Sequence, residues 1–418
     1  MTDGHSNFTG TMATKFPPPC GAAASSMRSG PRRGHQRFYA VSAFALFSLL
    51  ACSNLPTPLY RLYAQAFHFS PLTLTLVFAV YVCAMVPSLL VFGPLSDAIG
   101  RRPVLVGATA AAVAAMLVFM LATSTPWLLL ARGLQGVAVG AASGALTAAL
   151  SEFEPQQNRD RAALATTVAS LGGLAAGPLI AGGLAQYGPA RLVLPYVAGL
   201  TLLAPMVVFM LRFPDSGTRQ PWQPRWPTIP RAMLRPFALN SVASFVAFSV
   251  LGLFLALAPS MTAELTHTGN LLLAGGAVTL LLLSSMTAQW AGFGRPTALL
   301  QRNGLVTLAL GLALVLVAAD RTSLPLLLLA SLCIGAGHGL TFLGSISEIN
   351  LQAPAAQHAE VVSTYYVVVY LGLSLPVVFI GFLAARTSLL HAVQVFGYAV
   401  ILVCCCMALV LHPSARRR

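Results

Sequence analysis

The chain has 418 residues, of which 57% are hydrophobic and only 8% charged, and its mean hydropathy is +0.78. A soluble chain of this length needs far more charge to cover its surface, which argues against two or three water-soluble domains. The net charge of +14 suggests a nucleic-acid partner only when the basic residues gather on one face; here they fall in alternate loops, so no nucleic acid is expected.

Residues 1–37 are polar and rich in Gly, Pro and Ser, with Arg28, Arg32, Arg33 and Arg37 toward the end. With no apolar core or cleavage site, this stretch reads as a disordered cytoplasmic tail that can touch anionic lipid rather than as a secretory signal. Met12 and Met27 are alternative starts.

Apolar blocks follow at 38–55, 72–92, 103–123, 127–150, 162–185, 192–211, 237–258, 270–290, 299–319, 323–346, 361–385 and 389–411. Each is near the twenty or so residues that cross a hydrocarbon core about 30 Å thick, so the pattern predicts an all-α membrane protein of twelve transmembrane helices. An even number of crossings puts both ends on one side. Loops on that side hold 19 Lys/Arg and the opposite side five, which places both termini in the cytoplasm of a multi-pass protein of the plasma (inner) membrane.

Residues 212–236 carry six prolines and divide the chain into a bundle at 38–211 and a second at 237–411, with a short basic tail at 412–418. The halves echo each other. Spans 1 and 7 begin 199 residues apart, and Pro178 in span 5 is matched by Pro376 in span 11 after 198. Duplicated halves are typical of carriers whose substrate site lies at the repeat interface.

Between spans 2 and 3 the chain reads Gly93-Pro94-Leu95-Ser96-Asp97-Ala98-Ile99-Gly100-Arg101-Arg102. Gly93 and Gly100 suit close helix approach and a tight turn, the arginines hold the loop inside, and Pro103 suits the first turn of span 3. This segment resembles the G-x-L-x-D-x-x-G-R-R signature of the major facilitator superfamily. The resemblance implies two pseudo-symmetric six-helix bundles rocking about a central site lined mainly by spans 1, 4, 7 and 10. It also implies that Asp97 is a latch toward the start of span 11, near Glu360 to Thr364. The matching loop of the second half keeps Gly294-Arg295-Pro296 but has Ala291 where an acid would stand, so the second latch reads as lost.

Two further segments resemble the family. Span 4 opens Arg132-Gly133-Leu134-Gln135-Gly136, similar to R-x-x-Q-G, and Gly136, Gly140 and Gly144 continue a four-residue stripe from Arg132. A cation about five residues inside a span either lines a polar path or snorkels to the headgroups. Span 5 carries Gly173, Gly177, Pro178 and Gly182, similar to the G-x-x-x-G-P-x-x-G-G motif linked to antiport, with Ala181 replacing one glycine. That resemblance tilts direction toward export.

Many drug–proton antiporters of the superfamily carry an acid in span 1, and this span has none; its polar groups include Ser42, Ser48, Ser53 and Asn54. The one mid-span imidazole or carboxyl is His338, which either carries a coupling proton or hydrogen-bonds a neighbouring helix. Tyr365, Tyr366 and Tyr370 read as packing or interface anchors. Asn54, Arg132, Gln135 and His338 are therefore the candidate transport path. With no mid-span carboxylate, neutral or weakly acidic small molecules are favoured over permanent cations, although Phe245 and Phe248 offer aromatic faces.

The seven cysteines show no metal-ligand spacing and read as small hydrophobes, so no metal and no cofactor are expected. There is no G-x-x-x-x-G-K-[ST] loop to make ATP the direct drive. The reading is a secondary exporter of small organic compounds, embedded in the lipid bilayer and using protons as the coupling ion. An uptake symporter or facilitator of the same fold is the alternative. A polytopic enzyme would need paired carboxylates or a His/Glu set at one depth, and none occurs.

Overall fold

The computed structural model describes residues 30–214, 229–266, 269–354 and 357–411. Most of the N-terminal tail, the greater part of the 212–236 linker and the basic C-terminal tail lie outside the described residues.

The described chain holds α1 (Gly30–Asn54), α2 (Tyr60–Phe67), α3 (Pro71–Ile99), α4 (Arg101–Met120), α5 (Thr125–Glu152), α6 (Arg159–Tyr187) and α7 (Leu194–Leu211). The second half supplies α8 (Leu234–Thr266), α9 (Leu271–Gly292), α10 (Thr297–Arg321), α11 (Leu324–Gln352), α12 (His358–Arg386) and α13 (Leu389–Val410). Twelve units are long and apolar enough to cross a bilayer, the first being Gln36–Phe67, which joins α1 and α2. In hydrocarbon every backbone group needs an internal partner, and a helix supplies one within the segment. Local signals set the ends. Asn158 and Asn270 cap α6 and α9 with side-chain oxygens that accept two backbone N–H groups each, and Ser70 and Ser388 cap α3 and α13.

Several crossings run past the sequence expectation, the second to Ile99 instead of 92 and the tenth to Gln352 instead of 346, and two ends differ most. The first crossing is broken at Pro56 and Pro58 and runs on to Phe67 instead of ending at 55, and the seventh runs to Thr266 instead of 258. In both, polar residues within the last turns mask a helix that packing sustains.

The first six crossings form one bundle and the last six another, and their internal contacts repeat. Gly136 and Gly140 of α5 lie against the carbonyls of Tyr81 and Met85 on α3; Gly335 and Gly339 of α11 lie likewise against Leu281 and Ser285 on α9. Gly173 and Gly177 of α6 meet the carbonyls of Phe47 and Ala51 on α1, and Gly372 of α12 meets that of Phe245 on α8. Without a hydrophobic drive between helices in lipid, such close backbone approach supplies the dispersion contacts that hold them. Around these inner helices, Phe379, Leu402 and Leu409 leave large apolar side chains exposed, as a lipid-facing surface does.

Two glycines do not serve as expected. A Cβ at Gly93 or at Gly144 would meet nothing within 4 Å, so neither mediates close helix approach; the stripe from Arg132 packs through Gly136 and Gly140 and then runs out to an exposed position. This contrast yields a paired test. Gly136→Val drives a side chain into the α3 backbone and is expected to destabilise the first bundle by about 1–3 kcal/mol, visible as a lowered melting temperature in detergent. Gly144→Ala should melt as wild type does, and equal melting of the two variants would refute the packing assignment.

Candidate functional site

α1 ends at Asn54 because Pro56 and Pro58 lack backbone N–H groups. Pro56 leaves the carbonyl of Cys52 without its helical donor, and the chain turns into a short 3-10 segment, Thr57–Leu59, before α2. Side chains of α5 take over. Gln135 Nε2 donates to the Cys52 carbonyl at 2.9 Å, and Arg132 Nη1 donates to the Ser53 carbonyl at 2.8 Å and to Gln135 Oε1 at 2.8 Å. Arg132 Nε donates to the Tyr60 hydroxyl. Asn54 seals the break, its amide donating to the Leu174 carbonyl of α6 at 2.8 Å and its oxygen accepting from Thr57 at 2.7 Å.

Arg132 is 1% exposed and has no ion-pair partner among the described residues. The negative end of α1 and the faces of Tyr60 and Tyr81, whose ring centres lie 5.2 and 5.4 Å from its guanidinium carbon, stand in for a carboxylate. Its Nη2 has no hydrogen-bond partner among the described residues. The side chain therefore does not snorkel to the headgroups; it is a buried clamp between α5 and the break in the first crossing.

His338 sits in the other bundle, 2% exposed, with Nδ1 2.9 Å from Ser285 Oγ of α9. Gln289, one turn on from Ser285, donates to the same Oγ at 3.4 Å, and His338 Nε2 has no partner among the described residues. Beside the imidazole run aromatic rings from three helices: Phe248 of α8, Phe342 of α11, then Tyr366 and Tyr370 of α12. All four are partly exposed, whereas Tyr365 turns inward and shares a 2.6 Å hydrogen bond with Ser244. Asn240 spends its amide on the Pro236 carbonyl and on Gln301, so it lies between helices of the second bundle.

The loop after α3 divides its residues between two jobs. Gly100 adopts φ +99°, a conformation glycine tolerates, and starts α4. Arg101 pairs with Glu152 at the end of α5, and Arg102 donates to the Leu211 carbonyl at the end of α7, at 2.6 Å. Asp97 is half-buried and has no hydrogen-bond or ion-pair partner among the described residues. The second half repeats the Arg101–Glu152 tie with a hydroxyl: Thr297, first residue of α10, donates to Glu348 of α11, each pair being 51 residues apart in the chain.

Contacts between the bundles gather toward the face opposite the termini. On α6, Gly182 lies against the Leu271 carbonyl and Pro178 against Gly275 of α9. Thr279 donates to the Ala175 carbonyl at 2.8 Å, and Gln186 accepts from the Leu271 N–H at 2.9 Å. On the other flank, Thr75 of α3 packs on Gly381 of α12. The span 5 glycines thus split, with Gly173 and Gly177 holding α1 and Gly182 meeting the opposite bundle.

The structure therefore joins Arg132 and Gln135 in one network at the helix break, sets Asn54 beside it with partners of its own, and leaves His338 in a separate network. Sequence reasoning missed Tyr60, Tyr81, Ser285 and Gln289. The proline pair at 56 and 58 signals the break, and the Ser285/Gln289 spacing puts both on one helix face, but their partners are remote in the chain.

The family model of the Major Facilitator Superfamily matches residues 42–377. The chain is 29% identical over 197 residues to the inner membrane transport protein YnfM of Escherichia coli strain K12, an alignment covering 46% of each chain. It is also 29% identical over 176 residues to the uncharacterized MFS-type transporter YybF of Bacillus subtilis strain 168, covering 42% of each. The matched region thus spans about half the length of these curated relatives. Among solved structures, the nucleoside transporter NupG superposes with a TM-score of 0.74 at 12% identity, covering 90% of this chain and 100% of that one. A bacterial homologue of the human lysosomal transporter Spinster, inward-facing and unoccupied, gives 0.71 at 14% identity, covering 93% and 98%. At these identities the likeness shows the fold.

The clamp makes a stability prediction. Arg132→Ala strands the Ser53 carbonyl and the Tyr60 hydroxyl, and each unsatisfied buried group costs about 1–3 kcal/mol, so the melting temperature should fall by several degrees. Arg132→Lys, a point donor on a flexible stem, should restore less than half of the loss. Full recovery with lysine in a thermal-shift assay would show that charge alone suffices and that the forked geometry is dispensable.

Proposed function

The chain belongs to the major facilitator superfamily, and from that membership we propose that it is a secondary transporter moving small organic compounds across a membrane by alternating access. The observation that carries this reading is the one-sided placement of the bundle contacts. α6 meets α9 and α3 meets α12 toward the face opposite the termini, while Asp97 on the other face has no ion-pair partner among the described residues. Two packed bundles joined near one end by glycine–carbonyl contacts can rock about that junction.

The arginine excess supports placing the termini side in the cytoplasm, and the relative named as an inner membrane transport protein supports that membrane. The conformation is then the one open inward. On this reading Asp97 pairs with the positive N-terminal end of α12 when the inner face closes. The α6 motif supports export rather than uptake. His338, the one imidazole or carboxyl at mid-span among the described residues, is the candidate carrier of a coupling proton.

A library screen in cells overproducing the protein tests the direction: export lowers cell-associated compound, and collapsing the proton gradient restores it. Raised accumulation would overturn export. In proteoliposomes, Asp97→Asn should leave insertion and yield unchanged while slowing turnover at least several-fold, and a wild-type rate would refute the latch. His338→Gln should retain substrate binding and lose the response to an imposed pH gradient; unchanged pH-driven transport would return His338 to a purely packing role.

A further inference from the structure

The tautomer of His338 follows from its neighbours. Gln289 Nε2 can only donate to Ser285 Oγ. Among the described residues the Ser285 hydroxyl hydrogen has no acceptor other than His338 Nδ1, 2.9 Å away. The imidazole therefore accepts at Nδ1 and carries its hydrogen on Nε2, and this buried N–H has no partner among the described residues. Gly335 and Gly339, on the turns either side of His338, lie against the Leu281 and Ser285 carbonyls of α9, so α11 is held close to Ser285 at this depth. A buried donor left unmade is unfavourable, and a bound acceptor removes that cost.

The walls around the ring are aromatic. Phe248 is centred 4.8 Å from the imidazole, Phe342 lies nearly parallel to it at 6.3 Å, and Phe248 and Phe342 are 5.3 Å apart. Tyr366 and Tyr370 continue the row across α12 with centres 6.0 Å apart. These spacings are those at which aromatic rings attract one another. No carboxylate enters the row. Glu348, on the same helix, is engaged with Thr297 and Gln352.

We infer that the junction of α8, α11 and α12 is a subsite for a planar aromatic group bearing a hydrogen-bond acceptor such as a carbonyl, with His338 Nε2–H as the donor and Phe248 and Phe342 as the walls. The inference rests on the transport reading above and names its substrate class: flat, uncharged, acceptor-bearing aromatics. A permanently cationic ring gains the aromatic faces but meets an N–H donor and no counter-ion.

The test is saturation binding to the purified full chain in detergent, with 9-fluorenone and fluorene as probes, since these planar molecules differ in the carbonyl. Wild type should bind fluorenone at least ten-fold more tightly. His338→Phe, which keeps a ring and removes the donor, should erase that preference; His338→Met serves if the phenylalanine variant fails to fold. His338→Gln, which keeps an N–H donor, should retain most of it, and Phe342→Leu should weaken both probes together. Equal affinity of wild type for the two probes, no saturable binding of either, a preference surviving in His338→Phe, or tighter binding of N-methylacridinium than of fluorenone would each overturn the subsite. Carbonyl-dependent binding without any fluorenone movement in proteoliposome counterflow would support the subsite and count against the transport reading alone.

Discussion

A cation buried in an apolar bundle needs an electrostatic partner, and Arg132 has no carboxylate to provide it. Its partner is a helix end. Two prolines stop α1 partway through the first crossing, free the carbonyls at its C-terminal end, and so create the concentrated negative potential that a guanidinium requires. The dependence is mutual, because those carbonyls would be unsatisfied in a low-dielectric interior without Arg132 and Gln135. Everything at the far end of the first bundle follows from this exchange. Tyr60 can be fully buried because it accepts from Arg132, and Tyr63 beyond it bonds to Tyr196 at 2.9 Å and closes the end of the bundle.

The two halves share a backbone plan and differ in chemistry. Glycines at matching turns set α5 on α3 and α11 on α9, and α6 on α1 and α12 on α8. Onto that plan the first half places a charged clamp and an ion pair at the loop between α3 and α4. The second half places an imidazole, a row of aromatic rings and a threonine hydroxyl where the arginine stood. A duplicated scaffold keeps the contacts that backbones make and lets side chains diverge. One bundle is thus stiffened by polar bonds, and the other presents partly exposed rings.

The bundle contact is of another kind again. Small residues on α6 and α9 let carbonyls and glycines touch, and Thr279 and Gln186 add hydrogen bonds across the join. Such contacts are short-ranged and directional. They fix how α6 sits on α9, beside a buried apolar core that runs through both bundles.

The crossings, their number, the division into two halves and the family were legible in the sequence because each depends on local quantities: the length of an apolar run, the placement of arginines in loops, and a contiguous motif such as Gly93 to Arg102. The same holds for Arg132 and His338 as anomalies, since a charge or an imidazole within an apolar run is conspicuous wherever it lies. What each anomaly does was decided by residues far away in the chain. Arg132 is a clamp because Ser53 and Tyr60, some seventy to eighty residues earlier, sit opposite it, and His338 holds one tautomer because Ser285 and Gln289 meet it from α9. Gly93 and Gly144 look no different in sequence from Gly136 and Gly140, yet two face open space and two touch a neighbouring backbone. Periodicity places a residue on a helix face, but only the packing of helices decides what that face meets.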